Sequence, residues 1–183
     1  MILSSMTEAK HSVVLPSLAA LITATLLLAG CPLVSDLPLS DPATARIDEA
    51  LVGMWKAQDP DSGEWRRLTF LPFDEHELVG IAPADKADEV DAFRVFTTRI
   101  DGESFLNIRE LGTGSSGWYL LRYVMDGKRL VMTLVDDGLF KDRTFAGSAE
   151  LCEFVRRNAS NPLLYEARPG EEGRDMVWER ASD

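Results

Sequence analysis

Two hydrophobic patterns divide the chain. From Val13 to Ala29 apolar residues follow one another almost without a break, interrupted by Pro16 and ended by small residues. The run is shorter than the ~20 apolar residues that span a bilayer, so it reads as an export signal and not as a transmembrane helix. From Trp55 onward apolar positions recur every second residue, cut at short intervals by turn-forming residues. That alternation predicts strands at 53–58, 64–71, 77–82, 92–100, 103–110, 117–125, 128–136 and 174–180. Asp41-Pro42 has the form of an N-cap followed by proline at the first helical position. With Ile47, Ala50 and Leu51 as an apolar stripe ending before Gly53, it predicts a short N-terminal helix. A second helix is expected near 148–158, capped by Ser148, with Leu151, Phe154 and Val155 as its buried stripe and Pro162 beyond its end. The simplest arrangement is mainly β: an antiparallel up-and-down barrel of about eight strands, because closure removes exposed edges.

Two connections predict the facing of side chains. Ile100-Asp101-Gly102-Glu103 and Met125-Asp126-Gly127-Lys128 each set Asp-Gly between alternating runs, the pattern of a two-residue hairpin. A turn at Asp101-Gly102 puts Val95 opposite Ile108 and Arg94 opposite Arg109. One face is then apolar (Phe93, Val95, Leu106, Ile108), and the other carries Arg94, Phe96, Phe105, Asn107 and Arg109. Opposed arginines repel unless an anion or carboxylate lies between them. The mixed face is therefore either an inward anion site with aromatic walls or an outward, solvated face with acidic counterions. A turn at Asp126-Gly127 puts Tyr119, Leu121 and Tyr123 on one face with Leu130, Met132 and Leu134, the expected interior. Trp118, Leu120, Arg122, Val131 and Thr133 take the other face.

The apolar run ends in Leu28-Ala29-Gly30-Cys31, which resembles the lipobox of bacterial lipoproteins. The resemblance implies that residues 1–30 are removed and that Cys31 is acylated; 31–40 are then lipidated Cys and tether, because residues 32–40 read as an extended segment too polar and proline-broken to pack on its own, and 41–183 are one domain. Several acyl chains hold a soluble domain at a bilayer, so the implied partner is a membrane and the implied location the cell envelope. Pro32, where retention in the inner membrane calls for Asp, implies the outer membrane, periplasmic side. Charge narrows the partners further. Removing residues 1–30 takes away one acid, Glu8, and one base, Lys10, so the formal charge stays at −11 and disfavours nucleic acid.

Gly53-Met54-Trp55, opening the first strand after the expected helix, resembles the start of the lipocalin-like (calycin) barrels. In that family a Gly-x-Trp lays an indole across the closed end and an arginine from the last strand covers it; Arg180 in Met176-Val177-Trp178-Glu179-Arg180 matches that place. The stretches Leu39 to Trp55, Phe93 to Ile108 and Tyr119 to Leu134 look like a group of bacterial lipoproteins of lipocalin-like build to which no activity is assigned. The middle-loop motifs of lipocalins are absent.

Candidate chemistry is sparse. After loss of the signal, His76 is the only histidine, set among Asp74, Glu75 and Glu77, and reads as a solvated loop residue. Cys152 is then the only cysteine besides Cys31, so no internal disulfide is expected and Cys152 reads as a small buried hydrophobe. There is no zinc-type Cys/His set, no Gly-x-Ser-x-Gly, and no Lys-Ser/Thr after the glycine-rich 112–117. No cofactor, no metal and no enzyme activity are expected. The leading expectation is a membrane-tethered module that binds a small apolar or amphipathic ligand through Tyr119, Tyr123 and Met132, with Arg94 and Arg109. The alternative is a structural or interaction lipoprotein of an envelope assembly, favoured if Trp65 and Trp178 are exposed together.

Overall fold

A computed structural model describes residues 33–59, 62–84, 90–112, 117–165 and 175–181. The expected signal segment, Cys31, the acidic 85–89 loop and the centre of the glycine-rich stretch lie outside the described residues. The strands are β1 (Val34–Ser35), β2 (Gly53–Gln58), β3 (Trp65–Pro72), β4 (Leu78–Pro83), β5 (Val90–Ile100), β6 (Glu103–Glu110), β7 (Trp118–Asp126), β8 (Arg129–Leu134) and β9 (Asp175–Arg180). One α-helix, α1 (Ser148–Asn158), precedes the last strand. Every expected strand forms within two residues of its expected ends; the two-residue β1 was not foreseen.

All pairings are antiparallel, each strand joins its chain neighbour from β2 to β8, and β9 closes the circuit between β8 and β2. The result is a closed eight-strand antiparallel barrel with β1 as an extra strand on β7. Its two ends differ. The β3–β4, β5–β6 and β7–β8 turns lie at one end, called the closed end below; the β2–β3, β4–β5, β6–β7 and β8–β9 connections lie at the other, the open end.

The first hairpin is as expected: Asp101 and Gly102 have φ of 49° and 92°, and Val95 pairs with Ile108. In the second, Asp126 pairs with Arg129, so the turn residues are Gly127 and Lys128, with Gly127 at φ 59°. A glycine at positive φ in the first turn position suits the right-handed twist of the strands. Tyr123 therefore faces Met132, two places from the expected register. A slip of two residues keeps every side chain on its face, so the expected interior survives.

The N-terminal helix does not form. Asp41 does cap, its Oδ1 accepting from Ala43 N at 2.9 Å, but only a single 3-10 turn, Pro42–Thr44, follows. The carbonyls that would continue a helix are taken by barrel side chains: Thr97 Oγ1 donates to Arg46 O at 2.6 Å and His76 Nδ1 to Ala45 O at 2.8 Å. Nor is 33–40 a free tether. Leu33 and Leu39 are buried, β1 pairs with β7, and Leu39 N donates to Asn107 Oδ1 at 2.7 Å. The expectation of a loose linker rested on its prolines and polar residues, and long-range contacts override that. At α1, Ser148 is the first helical residue and Gly147 holds the cap position without a side-chain bond.

The sheet carries a core on each side. The interior core holds Trp55, Phe70, Leu78, Val95, Leu106, Leu121, Tyr123, Leu130 and Met132. The second lies on the outer surface of β5–β7, where Phe96, Phe105, Trp118 and Leu120 pack against Leu39 and Ala45 of the N-terminal strap, Leu151 and Val155 of α1, and Leu164.

Candidate binding site

Inward-facing side chains differ in burial along the barrel. At the closed end Trp55 is fully buried, its Nε1 donating to Leu51 O at 2.8 Å, while the segment after Ile47 crosses beneath it. Arg180 stands 4.4 Å above that indole and donates to Val52 O at 2.8 Å and to Ala50 O. Gly53 is required there: its φ is 124°, and a Cβ would sit 2.9 Å from Arg180 Nη1. Tyr123 Oη donates to Asp48 Oδ2 at 2.7 Å, and Arg99 Nη2 lies 3.7 Å from the same oxygen. Burial and the Asp48 charge hold the Tyr123 hydroxyl well above the usual phenol range.

Toward the open end burial falls away. Leu68, Phe93, Ile108, Tyr119, Leu134 and Trp178 are only partly buried although they face inward, and Met176 is 36% exposed. These partly covered inward side chains are called the cup below; they share the interior with the buried Val95, Leu106, Leu121 and Met132. The Trp178 Nε1 inside the barrel is buried and has no acceptor among the described residues. At the lip, Arg66 pairs with Asp59. Tyr119, Tyr123 and Met132 thus share the interior, with Tyr119 at the cup and the other two buried.

Arg94 and Arg109 are not part of this site. They oppose each other as expected, but on the outer face, with the sheet between them and the cup. Arg94 Nε and Nη2 donate to the buried carboxylate of Glu77, which raises the Arg94 pKa. The Arg109 guanidinium lies 4.7 Å above the Trp118 ring, and that of Arg94 lies 5.9 Å from it. A carboxylate on one cation and an indole between both relieve the repulsion. The mixed face is thus neither an inward anion site nor a solvated surface. Phe96, Phe105 and Asn107 are buried under the strap and α1, and Asn107 Nδ2 donates to Thr98 Oγ1 at 2.9 Å. The outward parity was open in the sequence; the cover comes from segments far away in the chain.

A concavity of about 320 Å³ sits at the closed end between the β5–β6 turn and the end of β7, lined by Asp48, Arg99, Glu103, Arg122 and Tyr123. Some of its charges are engaged with one another, while the buried Arg122 Nε has no acceptor among the described residues. Asp48 receives Tyr123 and Arg99, Arg122 stacks 4.2 Å above Tyr165, and Tyr165 Oη donates to Glu103 Oε2 at 3.4 Å. Burial and the Glu103 charge push the Tyr165 hydroxyl up to about 12.

The remaining chemistry is structural where it is described. His76 ties the strap to the β3–β4 loop, and Asp74, whose carboxylate accepts from His76 N at 2.7 Å and Glu77 N at 2.9 Å, titrates lower for that reason. Cys152 is half-buried and burial raises its pKa, which leaves it a poor thiolate. Trp65 and Trp178 do not form one surface: Trp65 is exposed outside β3 and Trp178 lies inside the barrel. Among the described residues no group of three His, Cys, Asp or Glu could hold a metal, and no helix is long and apolar enough to cross a membrane. No family model, curated protein or solved structure matches the chain.

Proposed function

We propose that the protein is a bacterial lipoprotein, anchored through acylated Cys31 at the periplasmic side of the outer membrane, whose lipocalin-like barrel takes up a small apolar or amphipathic ligand. The single observation that supports binding is the incompletely covered interior: Phe93, Ile108, Tyr119, Leu134 and Trp178 face into a closed barrel yet are only partly buried. Apolar walls with a few placed polar groups are the usual make-up of a small-molecule site, and the Trp178 N–H without an acceptor supplies one such group. A ligand carbonyl or hydroxyl there would relieve a desolvation cost of about 1–3 kcal/mol. In this reading Tyr119 lines the cup, Tyr123 and Met132 belong to the buried interior, and Arg94 and Arg109 act only on the barrel wall.

The test is extraction and mass spectrometry of protein purified from its own membranes, paired with displacement of a fluorescent monoacyl probe. The expected result is a co-purifying amphiphile, and loss of probe binding in Ile108→Trp, which fills the cup beside Tyr119. Protein that carries nothing and binds no probe would refute the reading. The second reading, an interaction module of an envelope assembly, draws on exposed Met54, Leu71 and Phe73 near the closed end, and is favoured if in-cell cross-linking at Phe73 recovers one protein partner.

A further inference from the structure

The geometry points to the closed-end concavity as a binding site for a small organic carboxylate, held by the guanidiniums of Arg99 and Arg122. It lies apart from the cup and does not depend on the interior being a ligand site. The space arises where two strands part. β6 and β7 pair from Ile108 with Tyr119 as far as Ser104 with Tyr123, while β7 continues on its other side with β8 to Asp126. Gly102 and Glu103 at the β5–β6 turn and Val124 and Met125 near the end of β7 therefore diverge around about 320 Å³. At ~30 Å³ for each water-sized group that is room for about ten of them, within the range of small-molecule sites.

The balance of donors and acceptors selects the ligand. A guanidinium carries several N–H donors and no acceptor. The Arg122 Nε is buried without an acceptor among the described residues; its guanidinium stacks 4.2 Å from the Tyr165 ring and forms no ion pair among them. Arg99 is 72% exposed, and the Asp48 oxygen it faces is 3.7 Å away, longer than a hydrogen bond. The carboxylates are already engaged. Asp48 Oδ1 accepts from Ala50 N at 3.1 Å and its Oδ2 from Tyr123 Oη at 2.7 Å, and Glu103 Oε2 accepts from Tyr165 Oη at 3.4 Å. A cationic ligand would compete with those bonds beside two guanidiniums. A ligand bringing oxygen acceptors meets the open donors instead, and a buried charged donor is costly to leave unpaired. Charge sets a limit as well: Asp48 and Glu103 balance Arg99 and Arg122, so a single negative charge suits the site better than the double charge of a phosphate monoester. Val124 and Met125 supply an apolar wall for the organic part.

The experiment titrates benzoate, phenyl phosphate and benzyl alcohol into the full chain in nonionic detergent. Calorimetry follows the heat, and nuclear magnetic resonance follows the arginine Nε–H signals, with that of Arg122 assigned by its loss in Arg122→Lys. Expected are saturable benzoate binding that shifts the Arg122 Nε–H signal, weaker binding of phenyl phosphate and none of benzyl alcohol. Arg122→Gln and Arg99→Gln each weaken benzoate about tenfold or more. Arg109→Gln, whose guanidinium stacks on Trp118 outside the site, leaves it unchanged. Because Arg99 is exposed, its replacement tests the site even where near-ultraviolet circular dichroism shows the Arg122 variant to be misfolded. A chain that binds no benzoate, an Arg122 signal that does not move, or equal affinity in Arg99→Gln overturns the site. Phenyl phosphate or benzyl alcohol binding as tightly as benzoate overturns the choice of a carboxylate. Displacement of the monoacyl probe by benzoate places the anion in the cup and overturns the assignment, whereas failure of that probe to bind bears on the interior reading alone.

Discussion

Asn107→Ala is the perturbation whose cost the structure specifies most fully. Asn107 is buried on the outer face of β6; its Oδ1 accepts from Leu39 N at 2.7 Å, and its Nδ2 donates to Thr98 Oγ1 at 2.9 Å and to Phe96 O at 3.4 Å. Leu39 is itself buried, so its amide gains no water when the acceptor goes. An orphaned buried amide costs about 1–3 kcal/mol. The lost Thr98 contact is partly replaced, because Ser40 Oγ stays 2.6 Å from Thr98 Oγ1. The three missing heavy atoms leave a small cavity worth about 1 kcal/mol. The total is ~3 kcal/mol, and with a urea slope of about 2 kcal/mol/M for a domain of this size the midpoint falls by roughly 1.5 M. Asn107→Leu restores the volume without the acceptor and should recover only the cavity part. The loss has an address as well as a size: hydrogen exchange at Leu39 accelerates, and the strap from Leu33 to Ala45 loses protection before the barrel does. A midpoint shift under about 0.5 M with the Leu39 amide still protected would refute the argument that this side chain holds the strap.

Two further predictions follow from the closed end and the tyrosines. Arg180→Met removes the donor to Val52 O and Ala50 O and the cover of Trp55, and should cost about 2–3 kcal/mol, lowering the thermal midpoint by ~4–10 °C and shifting Trp55 fluorescence; an unchanged midpoint would deny Arg180 that role. Tyr165 is held near a pKa of about 12, against 10.0 when free, and Tyr123 is raised likewise. The unfolded chain therefore gives up these protons first: the stabilisation is complete below pH 10 and is lost as pH rises through 10 toward 12. Urea midpoints measured across that range should fall steadily, and flat midpoints would count against the burial of both hydroxyls.

The strands were legible because each has a solvent side or a turn that shows its period. Even the misplaced second turn did no harm, since Gly127-Lys128 in place of Asp126-Gly127 moves the register by two and side chains alternate with that period. The closing trio of Gly53, Trp55 and Arg180 was legible only through resemblance, because nothing local links residues so far apart. What sequence reasoning misread has one physical source. The helix expected after Asp41 and the loose tether both belong to one tertiary contact, the N-terminal strap lying over β5–β7, and the arginine face is covered by that strap together with α1, Glu77 and Trp118. Its residues have unremarkable local propensities, and the bonds to Thr97, Asn107 and His76 that decide its path join positions separated by 31 to 68 residues. One signal was present: Asn107 stands amid the apolar alternation of β6, and a carboxamide there must find partners once buried.

The seam between β2 and β9 bears on how the molecule comes to exist at all. β9 fits between β2 and β8, and it meets β2 in only two residue pairs, Trp55 with Arg180 and Lys56 with Glu179. Because β9 follows every other strand in the chain, the preceding seven can assemble only into an open sheet, with the unpaired edges of β2 and β8 waiting for it. Closure is therefore a late event, available only once the last strand has been made, and loss of that strand leaves two sticky edges exposed to any neighbouring copy.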